Sequence, residues 1–358
     1  MFWAAGEENI ANLEQELKGF FTDTRRFGYE KSVGNGCFGF GLLFHEKIPG
    51  RRNRRFVVKR AMAMQEELKK EKGLLEMLQH AEHIVNLVHL ESNPLEPRNG
   101  EGGIMGPYII MEYMENGSLQ DFIRRTQRVN IPNRILAWMF LCLTRACVAM
   151  AYPPGLNPDG SIQEERVDPS RKPTLLAHYD MTTENIMFGT VDPLSREHSI
   201  MPSVKLIDFG ASGPRQMPIA VVPKNVNSFD QPLKLHELRT QGDTSYGVHQ
   251  NLFDIATAMM MIAWHRDFAP EPWCREAIRD LAGQAGMDPE LRLLVARCLA
   301  ADPENRPRLD DLLARLRRLV AETLPAKLGG GSGRESDAAM RDFVQRFVLN
   351  APLMRKGG

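Results

Sequence analysis

Cysteine is scarce and unpatterned in this chain. The 358 residues hold five, at positions 37, 142, 147, 274 and 298, an odd number without a Cys-x-x-Cys pair. That excludes a disulfide framework and predicts reduced thiols in an intracellular protein, cytoplasmic or nuclear. Net charge is absent too: 45 Lys plus Arg balance 45 Asp plus Glu. A balanced chain gives no argument for a nucleic-acid or membrane partner. The start, Met1-Phe2-Trp3-Ala4-Ala5-Gly6-Glu7-Glu8, lacks the basic-then-apolar pattern of a signal peptide. Long apolar runs are missing as well. Residues 137–151 and 255–264 are too short to span a bilayer, and the first carries Arg145, so both read as buried core helices. No internal repeat is visible. Hydrophobic content of 43% and charged content of 25% are ordinary for a globular protein. The length suits one large two-lobed domain or two domains.

The most informative stretch is Ala177-His178-Tyr179-Asp180-Met181-Thr182-Thr183-Glu184-Asn185-Ile186-Met187. It sets an Asp and an Asn five residues apart, behind a His. A second acidic loop, Leu206-Ile207-Asp208-Phe209-Gly210, comes after it. Phosphoryl transfer from ATP needs such a set: one Asp to accept or orient the attacking hydroxyl, and an Asn and a second Asp to hold metal ions against the phosphates. Alone, Asp180 reads equally well as a turn cap. Order and spacing separate the two readings. The block resembles the catalytic loop and the metal-binding Asp-Phe-Gly of the protein kinase family. That resemblance implies Asp180 as the hydroxyl-orienting residue, and Asn185 and Asp208 as ligands of Mg2+.

Earlier segments extend the resemblance. Residues 8–21 place Ile10, Leu13, Leu17 and Phe20 at helical spacing, which predicts an amphipathic helix packed on the adjoining lobe, or a regulatory arm. Ser32 to Gly39 holds Gly34, Gly36 and Gly39 in a Gly-x-Gly-x-x-Gly pattern between two expected strands. Such glycines let a backbone approach phosphates closely, although a plain hairpin has the same look. The next strand, Arg55-Phe56-Val57-Val58-Lys59, ends in a lysine. It resembles the kinase strand whose Lys holds the α- and β-phosphates. A charged helix over 63–79 should supply the carboxylate that pairs with Lys59. Counting back from His80 and Ile84-Val85, with one extra residue near Glu82, selects Glu71; Glu67 is the runner-up. Residues 84–90 and 107–114 read as strands. Tyr108 to Leu119 looks like the family's hinge, where the backbone of Glu112 and Met114 would bind adenine and Met111 would line the pocket.

Beyond the hinge, helices are expected at 118–127 and 132–152, with polar surface insertions at 153–174 and 190–202. Phe253-Asp254-Ile255-Ala256 opens an apolar helix; Asp254 could cap it, and the resemblance makes Asp254 the anchor of the catalytic-loop backbone. Arg297 to Pro307 resembles the family's ending, Cys-Leu-x-x-Asp-Pro-x-x-Arg-Pro, with Arg306 pairing a docking-segment Glu, here Glu237. A helix over 308–322, a glycine-rich linker at 329–333 and a helix over 336–348 with Met340, Phe343 and Phe347 on one side complete the chain.

The fold expected is α+β, a two-lobed protein-kinase-like fold with a small β-rich N-lobe, a larger helical C-lobe and ATP in the cleft. The domain boundaries expected are an N-terminal extension at 1–26, a kinase-like domain at 27–322 divided at 114/115, and a linker with a helical tail at 323–358. Four departures stand out. Tyr179 replaces the Arg of His-Arg-Asp, Thr182 replaces the Lys two residues after the catalytic Asp, Gly41 stands where a Val usually covers adenine, and Ala-Pro-Glu is missing, Leu235-His236-Glu237 being nearest. Yet Lys59, Glu71, Asp180, Asn185 and Asp208 are all retained. The expectation is therefore a divergent serine/threonine protein kinase using Mg-ATP on a protein substrate. The alternatives are a pseudokinase scaffold or a small-molecule phosphotransferase of similar fold.

Overall fold

The computed structural model describes residues 2–22, 25–36, 39–62, 64–97, 102–155, 159–214, 246–264, 286–300, 302–325 and 333–349. The chain divides into two compact units, Met1–Gln79 with Val85–Tyr113, and His80–Ile84 with Met114–Gly358.

The first unit is a small antiparallel sheet with two helices. Strands β1 (Phe27–Gly36), β2 (Gly39–Glu46), β3 (Arg54–Arg60) and β4 (Tyr108–Glu112) pair in that order. Side chains alternate across a strand, so Phe40, Leu42 and Phe44 of β2 share one buried face, and Phe56 and Val58 of β3 join it. Helix α1 (Phe2–Thr22) covers this face. Its Leu17 and Phe21, four residues apart, are fully buried, and the Phe21 ring lies 4.3 Å from Phe44 and 5.4 Å from Phe27. The helix is thus part of the first unit's core. Its inward stripe centres on Phe21 rather than on Phe20, which is only partly buried. Arg60 adds a polar tie, reaching Glu16 at 2.8 Å and the Met105 carbonyl at 3.2 Å.

Helix α2 (Gln65–Met77) buries Leu68, Glu71 and Leu75 at spacings of three and four. The strand expected at 84–90 does not form. Isolated bridges join Leu87 to Met111 and Ile84 to Leu206, while two N–H groups of the stretch go to side chains: Asn86 to Glu112 Oε1 at 2.8 Å and Leu87 to Gln79 Oε1 at 2.9 Å. Side-chain acceptors here compete with the ladder.

The second unit is mainly helical. Helix α3 (Leu119–Thr126) starts at Ser118, whose Oγ accepts from the Asp121 N–H at 3.1 Å while Asp121 accepts from the Ser118 N–H in return. Gly117 precedes it at φ +80°, a conformation that favours glycine. Helix α4 (Asn133–Ala151) is buried along its whole length. At 19 residues it is long and apolar enough to cross a membrane by length and composition, contrary to the shorter run read from sequence. Its burial and Arg145 make it the core of this unit. The guanidinium of Arg145 reaches Glu197 at 2.5 Å and Glu164 at 2.6 Å, and bonds the Glu165 carbonyl at 2.5 Å.

Short strands β5 (Leu176–Ala177) and β8 (Gly213–Pro214) pair, as do β6 (Ile186–Phe188) and β7 (Val204–Leu206). Helices α5 (Tyr246–Trp264), α6 (Pro289–Cys298) and α7 (Leu309–Arg318) come next; α5 and α7 pack on α4. The last helix, α8 (Asp337–Val344), continues into a π-helical turn at Gln345–Leu349. It packs back on this unit rather than standing free. Glu335 caps α4, accepting from the Asn133 and Arg134 N–H groups at 2.8 Å each. Arg125 donates to the Phe347 carbonyl at 2.9 Å.

Candidate active site

The first unit holds a cation and its partner. Lys59 sits near the end of β3, where the ladder pairs it with Gly41 and Ile109. Its Nζ lies 2.9 and 2.8 Å from the two carboxylate oxygens of Glu71. Glu71 is fully buried and reaches inward because it shares a helical face with Leu68 and Leu75. The carboxylate selected by counting is therefore the one that meets the lysine; Glu67, one turn earlier, is only partly buried. A buried ion pair held by two hydrogen bonds fixes where the ammonium stands.

The glycine-rich turn sits at the β1–β2 junction, with Gly34 opposite Gly41 and Gly36 opposite Gly39. Cys37 and Phe38 lie outside the described residues. Gly39 cannot carry a side chain here, since a Cβ would stand 2.1 Å from the Arg60 carbonyl oxygen. At Gly41 a Cβ would meet Val33 Cγ2 at 3.1 Å. Val33 thus occupies part of the space that a residue-41 side chain would fill. On β4, Glu112 turns its carboxylate to the Asn86 N–H, and its own N–H bonds the Asn86 carbonyl at 3.0 Å. This fixes the strand end just before Met114, which begins the second unit.

The second unit holds an acidic group. His178 is fully buried and takes three roles. Its ring stacks edge-on to Phe209 at 4.7 Å, its Nε2 donates to the Ile207 carbonyl at 3.1 Å, and its Nδ1 accepts the Asp180 N–H at 3.3 Å. Burial pushes its pKa down to about 4, so the ring is neutral at physiological pH and suited to that acceptor role. Asp180 in turn accepts from Asn185 Nδ2 at 2.8 Å on its carboxylate and 3.0 Å on its carbonyl. The Ile207 N–H bonds the Asn185 carbonyl at 3.0 Å, which ties the Asp208 loop to the Asp180 loop.

Four non-glycine residues have positive φ among the described residues, and two of them flank this group: Tyr179 at 64° and Asp208 at 60°. Such backbone costs about 1–2 kcal/mol and persists where surroundings hold it, often at functional sites. The electrostatics agree. Burial raises the Asp180 pKa, the Asp208 charge raises it further, the Asn185 hydrogen bond lowers it, and Glu184 raises it. Two carboxylates thus repel each other on a scaffold that holds them in place.

Sequence reasoning misplaced one anchor. Asp254 does not cap α5. It lies in the helix's third turn and accepts from Gln250 Nε2 at 2.7 Å, one turn back. Asn251 does the anchoring: its Oδ1 accepts the His178 N–H at 3.1 Å and its Nδ2 donates to the Leu176 carbonyl at 2.9 Å. An amide can both accept and donate, which a carboxylate could not do here. A lone Asn within the apolar run of α5 was the available signal. The other end of the loop is held by α3, whose Gln120 N–H bonds the Thr183 carbonyl at 2.9 Å.

Arg306 is fully buried, bonding the Ala300 carbonyl at 2.9 Å and the His249 carbonyl at 2.5 Å. Its expected partner Glu237, with the Leu235-His236-Glu237 segment, lies outside the described residues.

Residues 27–153 match the family model described as protein tyrosine and serine/threonine kinase. Over this segment the chain is similar to the protein kinase family. The matched segment carries Lys59, Glu71 and Glu112, while the Asp180 loop lies beyond it. Comparison with curated proteins gave no match. The small antiparallel sheet and the helical remainder make the kinase-type fold α+β overall.

Proposed function

We propose that this chain is a catalytically competent protein kinase that moves the γ-phosphoryl group of Mg-ATP to a protein hydroxyl, with serine or threonine as the expected acceptor. The observation that carries the reading is the Asp180–Asn185–Asp208 group. One carboxylate is locked by an amide, and a second raises its pKa from nearby. The donor set fits a divalent cation: the carboxylate oxygens of Asp208 and the amide oxygen of Asn185 are hard ligands. Asn185 uses its N–H on Asp180, which leaves the oxygen as its ligand atom. Asp208 and Asn185 would hold Mg2+, which when bound neutralises phosphate charge.

The chain's own residues do the rest. Asp180 accepts a hydrogen bond from the attacking hydroxyl, orients it, and takes its proton as transfer proceeds. Its raised pKa brings it closer to the range useful for that exchange. Lys59, fixed by Glu71, steadies the α- and β-phosphates. Gly34, Gly36 and Gly39 offer backbone N–H groups to phosphate oxygens, and the backbone of Glu112 and Met114 receives adenine.

A pseudokinase is the second reading, and the residue that favours it is Thr182, which has no charge to offer a transferring phosphate. The test is transfer of labelled phosphate from Mg-ATP to a mixed peptide array and to the protein itself, with wild type beside Asp180→Asn. Label that disappears in the variant supports the kinase, and the labelled hydroxyls name the acceptor class. Absence of label in both, with Mg-ATP still raising the melting temperature, overturns catalysis in favour of the pseudokinase. Transfer to a small hydroxyl compound alone would make the chain a small-molecule phosphotransferase.

A further inference from the structure

Two histidines from distant stretches meet inside the second unit. His83 belongs to the turn at residues 80–84, and His198 to the 190–202 insertion; both are buried, at 0% and 1% exposure. Their Nε2 atoms stand 3.1 Å apart. Two ring nitrogens this close need either one proton between them or one cation in common.

The far nitrogens bear on that choice. His83 Nδ1 lies 2.8 Å from Glu165 Oε2, and His198 Nδ1 lies 3.3 Å from the Met201 carbonyl oxygen. A ring that donates Nδ1–H to a carboxylate or a carbonyl presents its Nε2 lone pair, the arrangement of metal-bound histidines. Both rings have such an acceptor, which leaves both Nε2 lone pairs at the 3.1 Å gap between the rings. A thiol lies close by. The ligand atoms of His83, Cys142 and His198 all lie within 4.8 Å of one another. Two nitrogens about 2.05 Å from a tetrahedral zinc would stand about 3.3 Å apart. The 3.1 Å separation nearly meets that requirement. Glu82 Oε1 lies 3.7 Å from His198 Nε2, and at 22% exposure it is the member that touches solvent.

We propose that His83, His198 and Cys142, with Glu82 in the fourth position, form a structural zinc site. Two imidazoles, a thiolate and a carboxylate suit Zn2+, and four protein ligands close the site to chemistry. The thiol proton leaves to solvent as the thiolate binds. The outer shell is already built: Glu165 orients His83, and Arg145 holds the Glu165 carbonyl together with the Glu197 and Glu164 carboxylates. This gives the two polar insertions a purpose. Their composition predicts surface loops, yet each sends a buried residue, Glu165 or His198, to one point beside α4. The inference is independent of kinase activity.

The test is metal analysis of the full chain, purified without an affinity tag that binds metal. Wild type is expected to carry about one zinc per chain, and Cys142→Ser and His198→Ala to lose it. Protein made in cobalt-supplemented medium should show the visible bands of four-coordinate cobalt and a near-ultraviolet thiolate band, the latter absent from Cys142→Ser. If either variant fails to fold, the wild-type cobalt spectrum still decides. Folded wild type with neither zinc nor a cobalt spectrum would overturn the proposal and leave a shared proton, with Glu165 holding the charge on His83. Zinc retained in full by both variants would place the metal elsewhere and overturn it as well.

Discussion

The two units hold charge in opposite ways. In the first, Lys59 and Glu71 form a closed pair: one cation, one anion, two hydrogen bonds, almost no solvent. In the second, Asp180 and Asp208 are like charges, held by an amide, a neutral histidine and backbone bonds. A neutral pair stabilises its own geometry. A repelling pair must be fixed by its surroundings, and it favours an incoming cation. Damage to the first should therefore appear as lost stability, and damage to the second as lost cation-dependent function.

The largest effect expected is from Glu71→Ala, which leaves the Lys59 ammonium in an almost closed site without its carboxylate. Breaking such a pair costs about 3–5 kcal/mol, to be read from denaturant unfolding. A loss below about 1 kcal/mol would break the contrast, because the pair would then behave like a surface one. Asn251→Ala comes next. It strips an acceptor from the buried His178 N–H and a donor from the Leu176 carbonyl, each worth about 1–3 kcal/mol when left unsatisfied. Asp254→Ala, by contrast, should change stability less, and equal losses would contradict the assignment of the anchor.

A third prediction uses pH. The folded pKa of His178 is pushed down to about 4 from an ordinary 6.5. Above 6.5 the ring is neutral in both states, so stability is unaffected. Between 6.5 and about 4 the unfolded chain gains a proton that the folded chain refuses, and stability falls as pH falls. The slope is at most about 1.4 kcal/mol per pH unit for this residue. His178→Gln should flatten the melting-temperature profile in that window, and an unchanged slope would show that the ring is not neutral inside. The smallest effect is expected from Thr182→Lys, which restores a cation beside the acidic loop. It should raise kcat about tenfold, equivalent to ~1.4 kcal/mol of barrier, with little change in melting temperature.

Much of this was legible in the sequence, for physical reasons. The glycine pattern announced the strands beside it, the short apolar run before Lys59 announced β3, helical spacing announced α2, and the long apolar run announced α4, because a buried element must be apolar where it is covered. Glu71 could be found by counting, since a short, uninterrupted helix leaves little freedom in register. The unread features depend on contacts between distant stretches. Asn251 was overlooked because an Asp nearby had the expected chemistry, and only the fold shows which side chain faces the His178 N–H. The stretch at 84–90 looked like a strand because its residues favour one. Gln79 and Glu112, from outside it, take two of its N–H groups instead. His83, Cys142 and His198 are separated by 59 and 56 residues, and no local pattern links them. The polar look of the insertions concealed that each sends an ionisable residue, Glu165 or His198, into the interior.

The most direct test of the central contrast is calorimetric titration with ATP, in Mg2+ and in chelator, of wild type, Lys59→Met and Asp208→Asn. The account predicts that wild type binds more tightly with Mg2+, that Asp208→Asn loses only this Mg2+-dependent increment, and that Lys59→Met binds weakly in both conditions. Equal affinity for wild type with and without Mg2+ would contradict the account, because the acidic group would then have no cation to hold.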